Sequence, residues 1–322
     1  SGTADGTIEV TGSGTSYEVE IYSISGDGAL SISIAAGTAT DQAGNLAPTV
    51  TSGTLIVDHT APGVQIGAPS AAMTSTGPVT YTVTYSDDNF QPATLAASHI
   101  TLRRTGTANA DVGVSGTGET RTVTLSNITG NGTLGFLIAA GSASDLADNP
   151  APAAGPSSVF TVDNIAPAIA IGSPSSNFAQ TGPVTYTVTY TDANFDASTL
   201  TAANITLNRT GTANGTVSLT GSGLSYTVTI SSITGEGTLG ISIAGGTATD
   251  RAGNAAASAA SSTFTADNTA PTVTISAPSS SLARGGPITY AVTYADTNFD
   301  TSTLTAANVS LNQTGTANGT VS

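Results

Sequence analysis

One arrangement returns three times along the chain, and it narrows the possible folds more than any other feature. The stretch TVDNIAPAIAIGSP at 161–174 recurs as IVDHTAPGVQIGAP at 56–69 and as TADNTAPTVTISAP at 265–278. In each, an Asp (Asp58, Asp163, Asp267) stands four residues ahead of a Pro (Pro62, Pro167, Pro271). From Pro62 to Pro167 is 105 residues and from Pro167 to Pro271 is 104, an interval that suits a whole domain and is too long for one coil of a solenoid. The text between the linkers repeats as well. TGPVTYTVTY occurs at 76–85 and at 181–190, with GGPITYAVTY at 285–294, and residues 1–45 align with 210–254. The chain therefore reads as a tandem array. The linker Asp frames residues 1–57 as the C-terminal half of a repeat, 58–162 and 163–266 as complete repeats, and 267–322 as the N-terminal half of another.

Within 163–266, apolar residues alternate with Thr and Ser in seven short runs. These are Ile169 and Ile171; Val184, Tyr186, Val188 and Tyr190; Ile205 and Leu207; Val217 and Leu219; Tyr226, Val228 and Ile230; Leu239, Ile241 and Ile243; and Phe264 with Ala266. A period of two places every apolar side chain of a run on one face, as in a sheet with one dry side. Seven such strands in one repeat predict an all-β chain of tandem immunoglobulin-like β-sandwich domains, arranged as an extended rod.

Charge narrows the choice of partner. Six Lys plus Arg, none of them Lys, face 21 Asp plus Glu, for a net charge of -15. Nucleic acid is excluded as a partner, because its binding needs cationic side chains to replace counterions. An anionic membrane surface is excluded on the same ground, and no apolar run approaches the ~18 residues of a spanning helix, so no direct membrane insertion is expected. Cysteine is absent, which removes disulfides and thiolate metal ligands. The opening SGTADGTIEV has neither a basic nor an apolar leader segment, so a secretion signal would have to precede it.

Consecutive strands of a sandwich run alternately up and down, and this assigns loops to ends. The loop after the second strand and the loop after the sixth both return to the end where the first strand begins. The former reads SDDNFQ (Asp87, Asp88, Asn89), TDANFD (Asp192, Asn194, Asp196) and ADTNFD (Asp296, Asn298, Asp300). The latter reads DQAGN (Asp41, Asn45), DLADN (Asp145, Asp148, Asn149) and DRAGN (Asp250, Asn254). Both face the linker Asp (Asp58, Asp163 or Asp267). Together these three segments hold thirteen of the 21 acidic residues.

Carboxylates gathered at one place repel unless a cation lies among them. Calcium is the expected ion, since it takes six to eight oxygens from Asp, Asn and backbone carbonyls. Asp192, Asn194 and Asp196 have the spacing of an EF-hand start, as do Asp296, Asn298 and Asp300. The later Gly and Glu of that motif are replaced by Ala197 and Ala203, or by Thr301 and Ala307, so the expectation is a sandwich-loop site. The competing reading is turn formation, because Asp and Asn side chains bond nearby backbone N–H groups. Asp27, Glu236 and Asn131, in the loop before the sixth strand, would lie at the opposite end and could reach across the joint.

The DNTAP-type linker, the DxNF loop and the DxAGN loop, in fixed order, resemble the bacterial Ig-like repeats of large surface adhesins and biofilm-associated proteins. The resemblance implies secreted, calcium-stiffened spacer modules at the cell surface or in the biofilm matrix, whose partners are neighbouring repeats of the same chain. It would give ligand roles to Asp41, Asp58, Asp87, Asn89, Asp145, Asp163, Asp192, Asn194, Asp250, Asp267, Asp296 and Asn298.

Three other classes compete with this reading. An enzyme would need more than His59 and His99, which stand where the other copies have Asn and recur nowhere. A carbohydrate-binding module would present exposed aromatics, yet Trp is absent and most Tyr and Phe follow the strand pattern. A self-assembling filament or sheath of identical chains shares every feature of the spacer, and the half-repeats at the two ends would suit strand complementation between chains.

Overall fold

The computed structural model describes residues 2–322. Among them, regular structure is strand throughout apart from three single 3-10 turns. The all-β expectation holds.

Residues 2–57 form three two-stranded ladders. β1 (Asp5–Ser13) pairs with β2 (Ser16–Ser25), β3 (Gly28–Leu30) with β6 (Leu55–Val57), and β4 (Ser33–Ile34) with β5 (Val50–Thr51).

The next segment closes into a sandwich. Its strands are β7 (Gly63–Ile66), β8 (Met73–Thr74), β9 (Val79–Ser86), β10 (Ile100–Arg104), β11 (Asn109–Ser115), β12 (Thr120–Thr129), β13 (Gly132–Ile138) and β14 (Phe160–Val162). One sheet has the order β11-β12-β9-β7 and the other β10-β13-β14-β8. With β8 set aside, that is the four-plus-three strand order of an immunoglobulin constant-type domain.

The chain continues through β15 (Ala168–Ile171), β16 (Phe178–Ala179), β17 (Val184–Thr191), β18 (Phe195–Ser198), β19 (Ile205–Arg209), β20 (Asn214–Ser222), β21 (Ser225–Thr234), β22 (Gly237–Ile243), β23 (Ala248–Asp250), β24 (Ala259–Ala260) and β25 (Phe264–Ala266). The sheets β15-β17-β21-β20 and β16-β25-β22-β19 repeat the same order. Beyond them, β26 (Thr272–Ile275) pairs with β27 (Val292–Ala295). By contacts, the described chain divides into two units. The first runs up to Ala166 and includes Asn194–Asp196 and Thr249–Asn254; the second holds the remainder.

The alternation explains the packing. In β9, Val79, Tyr81, Val83 and Tyr85 are buried while Thr82 and Thr84 face solvent; β17 repeats this with Val184, Tyr186, Val188 and Tyr190. Tyr81 meets Phe136 of the opposite sheet edge-on at 4.9 Å, a favoured aromatic geometry. The buried phenols need partners, and they have them. Tyr81 donates to the Ser158 carbonyl at 2.8 Å and Tyr85 to Ser142 Oγ at 2.8 Å, matched by Tyr186 on Ser262 and Tyr190 on Thr247. Burial pushes all four phenols up from their ordinary pKa.

All seven sequence-predicted strands are present. The short strands β8 and β16 are additional: each lies parallel to the last strand of its sandwich, so the chain pairs in both sheets before β9 or β17 begins. Two residues are too few to carry a period.

Candidate metal centre at the linker aspartates

Each linker Asp divides its carboxylate between two tasks. One oxygen accepts the backbone N–H two residues on: Thr60 for Asp58 (2.9 Å), Ile165 for Asp163 (2.9 Å) and Thr269 for Asp267 (3.0 Å). Such a turn is what Asp does by its own chemistry. The other oxygen accepts the side-chain amide of the DxNF loop: Asn89 on Asp58 (2.7 Å), Asn194 on Asp163 (2.5 Å) and Asn298 on Asp267 (2.8 Å). The loop Asn is placed by its own Asp, since Asp87 accepts the Asn89 N–H and Asp296 that of Asn298, both at 2.7 Å. The Phe of the motif anchors the loop. Phe90 stacks on Tyr85 at 5.8 Å and Phe299 on Tyr294 at 6.0 Å.

The DxAGN loop arrives as a closed turn. Asp145 accepts the N–H of Ala147 (2.8 Å) and of Asn149 (2.9 Å) on one oxygen and the Asn149 amide (2.6 Å) on the other. Asp41 with Asn45, and Asp250 with Asn254, form the same contacts. The second amide hydrogen of Asn149 reaches the Asp58 carbonyl at 3.0 Å, and that of Asn254 reaches the Asp163 carbonyl at 2.8 Å. Both sequence-predicted loops thus meet the linker aspartates.

Around Asp58 the result is a concentration of charge. Asp58, Asp87 and Asp145 each present a carboxylate oxygen within 4.8 Å of the other two, with Asp145 buried and its companions half-buried. They come from three separate stretches of chain, and Asp58 and Asp87 border an open groove of about 710 Å³ also lined by Asp27 and Asp88. The donor set fits calcium. It is all oxygen, and ligands on opposite sides of such an ion stand about 5 Å apart, twice a ~2.4 Å bond. Burial would raise the Asp145 carboxyl, but the Asn149 and Ala147 hydrogen bonds outweigh it and hold the group below the usual range. Hydrogen bonding led by the Asn45 amide lowers Asp41, and that of the Asn298 amide followed by the Thr269 N–H lowers Asp267.

The remaining expected ligands differ in their exposure. Asp163 and Asp250 are buried and Asp192 is half-buried directly after β17, whereas Asp88, Asp196 and Asp300 are exposed. Exposed Asp148 has φ +65° where Gly44 and Gly253 have +83° and +91° in the other copies; it serves the left-handed turn, a conformation Asp tolerates better than most residues. Gln91, which replaces the Asp of the other DxNF loops, donates to the Asp145 carbonyl at 2.8 Å and ties the two loops directly.

Asp27, Glu236 and Asn131, which could reach across the joint, each give one side-chain oxygen to linker backbone. Asp27 accepts the His59 N–H (2.6 Å), Asn131 that of Asn164 (2.7 Å) and Glu236 that of Asn268 (2.7 Å). His59 Nδ1 lies 2.8 Å from the Gly26 carbonyl, where Asn164 and Asn268 donate to Gly130 and Gly235. His99 Nδ1 accepts the Ala96 N–H as Asn204 Oδ1 accepts that of Thr201. Both histidines do the hydrogen bonding of the Asn they replace.

Arg121 stands in β12 where β21 has Tyr226. Its guanidinium donates to the carbonyls of Ala93 and Leu95, bracing β12 against the loop before β10. In the other sandwich Tyr226 reaches that loop through Ser198 Oγ at 2.8 Å.

No protein-family model matches the chain, and no curated protein does. Among solved structures it is similar to FdeC, an Escherichia coli adhesin (20% identity, 72% of each chain, TM-score 0.31). It is also similar to a titin fragment (11% identity, 65% of this chain and 98% of that one, TM-score 0.23) and to the titin domains z1z2 solved with telethonin (13% identity, 66% and 98%, TM-score 0.21). The immunoglobulin-like assignment stands on the strand order of each sandwich. Among the described residues no helix is long and apolar enough to cross a membrane.

Proposed function

We propose that this chain is a run of spacer modules from a secreted bacterial surface adhesin, whose joints calcium stiffens. The observation that carries the reading is the meeting of Asp58, Asp87 and Asp145, one carboxylate from the linker and one from each of two loops of the following sandwich. A turn former needs only its own backbone, so turn chemistry alone gives no reason for three acids from distant stretches to share one position. Calcium bound there would neutralise the repulsion and fix the linker against both loops; Pro62, with φ set by its ring, limits the hinge further. Asp58, Asp87 and Asp145 would supply the anionic ligands, and Asn89 and Asn149 would orient them. Recurrence of the same segments along the chain favours a mechanical role over a single catalytic cleft.

Small-angle X-ray scattering of the 322-residue chain, which has chain on both sides of the Asp58 linker, tests this in calcium and then in excess chelator. The expected result is a long maximum dimension in calcium that shortens or broadens in chelator. Identical curves in the two conditions would sink the calcium joint and leave the acids as turn formers.

A further inference from the structure

The nine residues of β20, NGTVSLTGS at 214–222, read almost the same in both directions about Ser218. This strand is an edge of a closed sandwich. It stands last in the order β15-β17-β21-β20 and pairs with β21, so one side of its backbone has no strand partner among the described residues. An open edge is a template for further pairing, and proteins blunt such edges by keeping them short or by charging them. The other edges of these two sheets are blunted in that way. β15 and β16 are four and two residues long, and the five residues of β19 end on Arg209. β20 is long and holds neither a charge nor a Pro.

The equivalent strands of the other copies are not neutral. Ile8 pairs with Ile21, Val112 with Leu125 and Val217 with Ile230, which aligns β1, β11 and β20. At the place of Ser218, β1 has Glu9; at the place of Thr216, β11 has Asp111. A second β1 laid antiparallel about the same centre would set Glu9 against Glu9, and like charges directly opposite are destabilising. Only β20 has an edge on which its own sequence can lie without such a conflict.

We propose that β20 pairs antiparallel with β20 of a second copy of this chain, about a two-fold axis at Ser218, joining two four-stranded sheets into one. The partner follows from the near-palindrome. With Ser218 opposite Ser218, Val217 meets Leu219, Thr216 meets Thr220, Gly215 meets Gly221 and Asn214 meets Ser222, so like meets like along the whole strand. The faces agree as well. Thr216, Ser218 and Thr220 are exposed and Val217 and Leu219 half-buried on the other side, and a two-fold normal to the sheet keeps each set on its own face. The outer face beside the junction is free of charge, with Thr185, Thr187 and Thr189 of β17 opposite Thr229, Thr227 and Ser225 of β21. A net charge of -15 makes copies repel, and here they can approach with the least opposition. The pairing rests on strand edge and register and is independent of the calcium reading.

Sedimentation velocity of the 322-residue chain in chelator at physiological salt, over a wide concentration range, gives the first readout. A species of two 31.3 kDa chains that grows with concentration is expected; a monomer at every concentration, or growth past two chains, overturns the proposal. Ser218→Glu gives β20 the residue that β1 already carries at this place, so the hairpin tolerates it, and the variant should be monomeric. A two-chain species undiminished by that change overturns the assignment to β20. Register is read with single cysteines, since the chain has none. In the proposed pair the two Cα atoms at position 218 stand about 4.5–5.5 Å apart, within disulfide range, whereas those at position 216 are about 13 Å apart. On air oxidation Ser218→Cys should give a covalent two-chain product and Thr216→Cys alone none, while an equal mixture of Thr216→Cys and Thr220→Cys should link again. Ser218→Cys that stays unlinked, or Thr216→Cys that links to itself, overturns the register.

Discussion

Asn89 Nδ2 donates to Asp58 Oδ2 across 31 residues of sequence, and the same separation joins Asn194 to Asp163 and Asn298 to Asp267. This contact pins the loop after β9 to the linker. Replacing Asn89 with Ala removes the donor while its Asp87 turn remains, because that turn uses the backbone N–H. A net cost of about 1 kcal/mol is expected, the usual worth of one such bond. Urea unfolding of residues 58–266 in chelator would measure it; an unchanged midpoint would show that the bond contributes nothing.

The depressed carboxyls of Asp41, Asp145 and Asp267 set a pH dependence. A carboxyl lowered in the folded state binds fewer protons there than in the unfolded chain. Its stabilisation is therefore complete above the unfolded value of ~3.9 and is lost as pH falls through the lower folded value. Thermal melts in chelator should be level from pH ~8 to ~5 and drop below pH ~4. Asp145→Asn should flatten that acid limb for the sandwich of residues 58–162. An acid limb unchanged in the variant would remove Asp145 from the account.

Gly130 combines two constraints. Its φ is +76°, and a Cβ there would lie 2.1 Å from the Thr107 carbonyl oxygen, too close for any real side chain. The same residue's carbonyl accepts the Asn164 amide at 2.7 Å. Gly130→Ala should therefore cost more than about 2 kcal/mol, since left-handed strain and a backbone clash add. Loosening of the Asn164 contact should follow, visible as faster hydrogen exchange at the Asn164 N–H. A variant as stable as the parent would contradict the geometry.

What the sequence disclosed and what it hid divide along physical lines. Alternation such as VTYTVTY fixes both strand and buried face, so the register of Tyr186 and Val188 toward the core was readable. Strand parity likewise brought Asp58, Asp87 and Asp145 together, because up-and-down connectivity leaves those loops no other end. Met73–Thr74 and Phe178–Ala179 were hidden, as a two-residue strand carries no period and exists only because the last strand offers it an edge. The direction of the Asn contacts was hidden too. Asn89 and Asn149 were read as oxygen ligands, whereas their amide nitrogens face the linker. Composition does not distinguish an amide that coordinates from one that donates.

Arg121 and Ala93 in one sandwich stand where Tyr226 and Ser198 stand in the other. Each pair links the long strand β12 or β21 to the segment that leads into β10 or β19, by guanidinium to carbonyl in the first case and by hydroxyl to hydroxyl in the second. Arg121 also buries an Nε that has no partner among the described residues. Arg121→Tyr alone would leave the phenol facing Ala93 with no hydroxyl, and should destabilise by about 1–2 kcal/mol. Adding Ala93→Ser should recover most of it, giving a coupling of about 1 kcal/mol in a double-mutant cycle. Additive effects would mean that the two positions do not communicate.

The calcium reading makes a prediction whose sign changes with conditions. Asp87 accepts the Asn89 N–H through one oxygen, and Asn at position 87 keeps an oxygen able to do the same. Asp87→Asn thus preserves the turn while removing one of three charges held within 4.8 Å. In chelator the variant should be as stable as the parent or more so, because a like-charge repulsion is gone. In calcium the order should reverse. An ion present at 100 times its dissociation constant adds about 2.7 kcal/mol to the parent, and the variant, with a weaker site, gains less. Paired thermal melts of residues 58–266 in the two conditions give the answer: crossing curves support an ion among Asp58, Asp87 and Asp145, and curves that keep the same order in both conditions count against one.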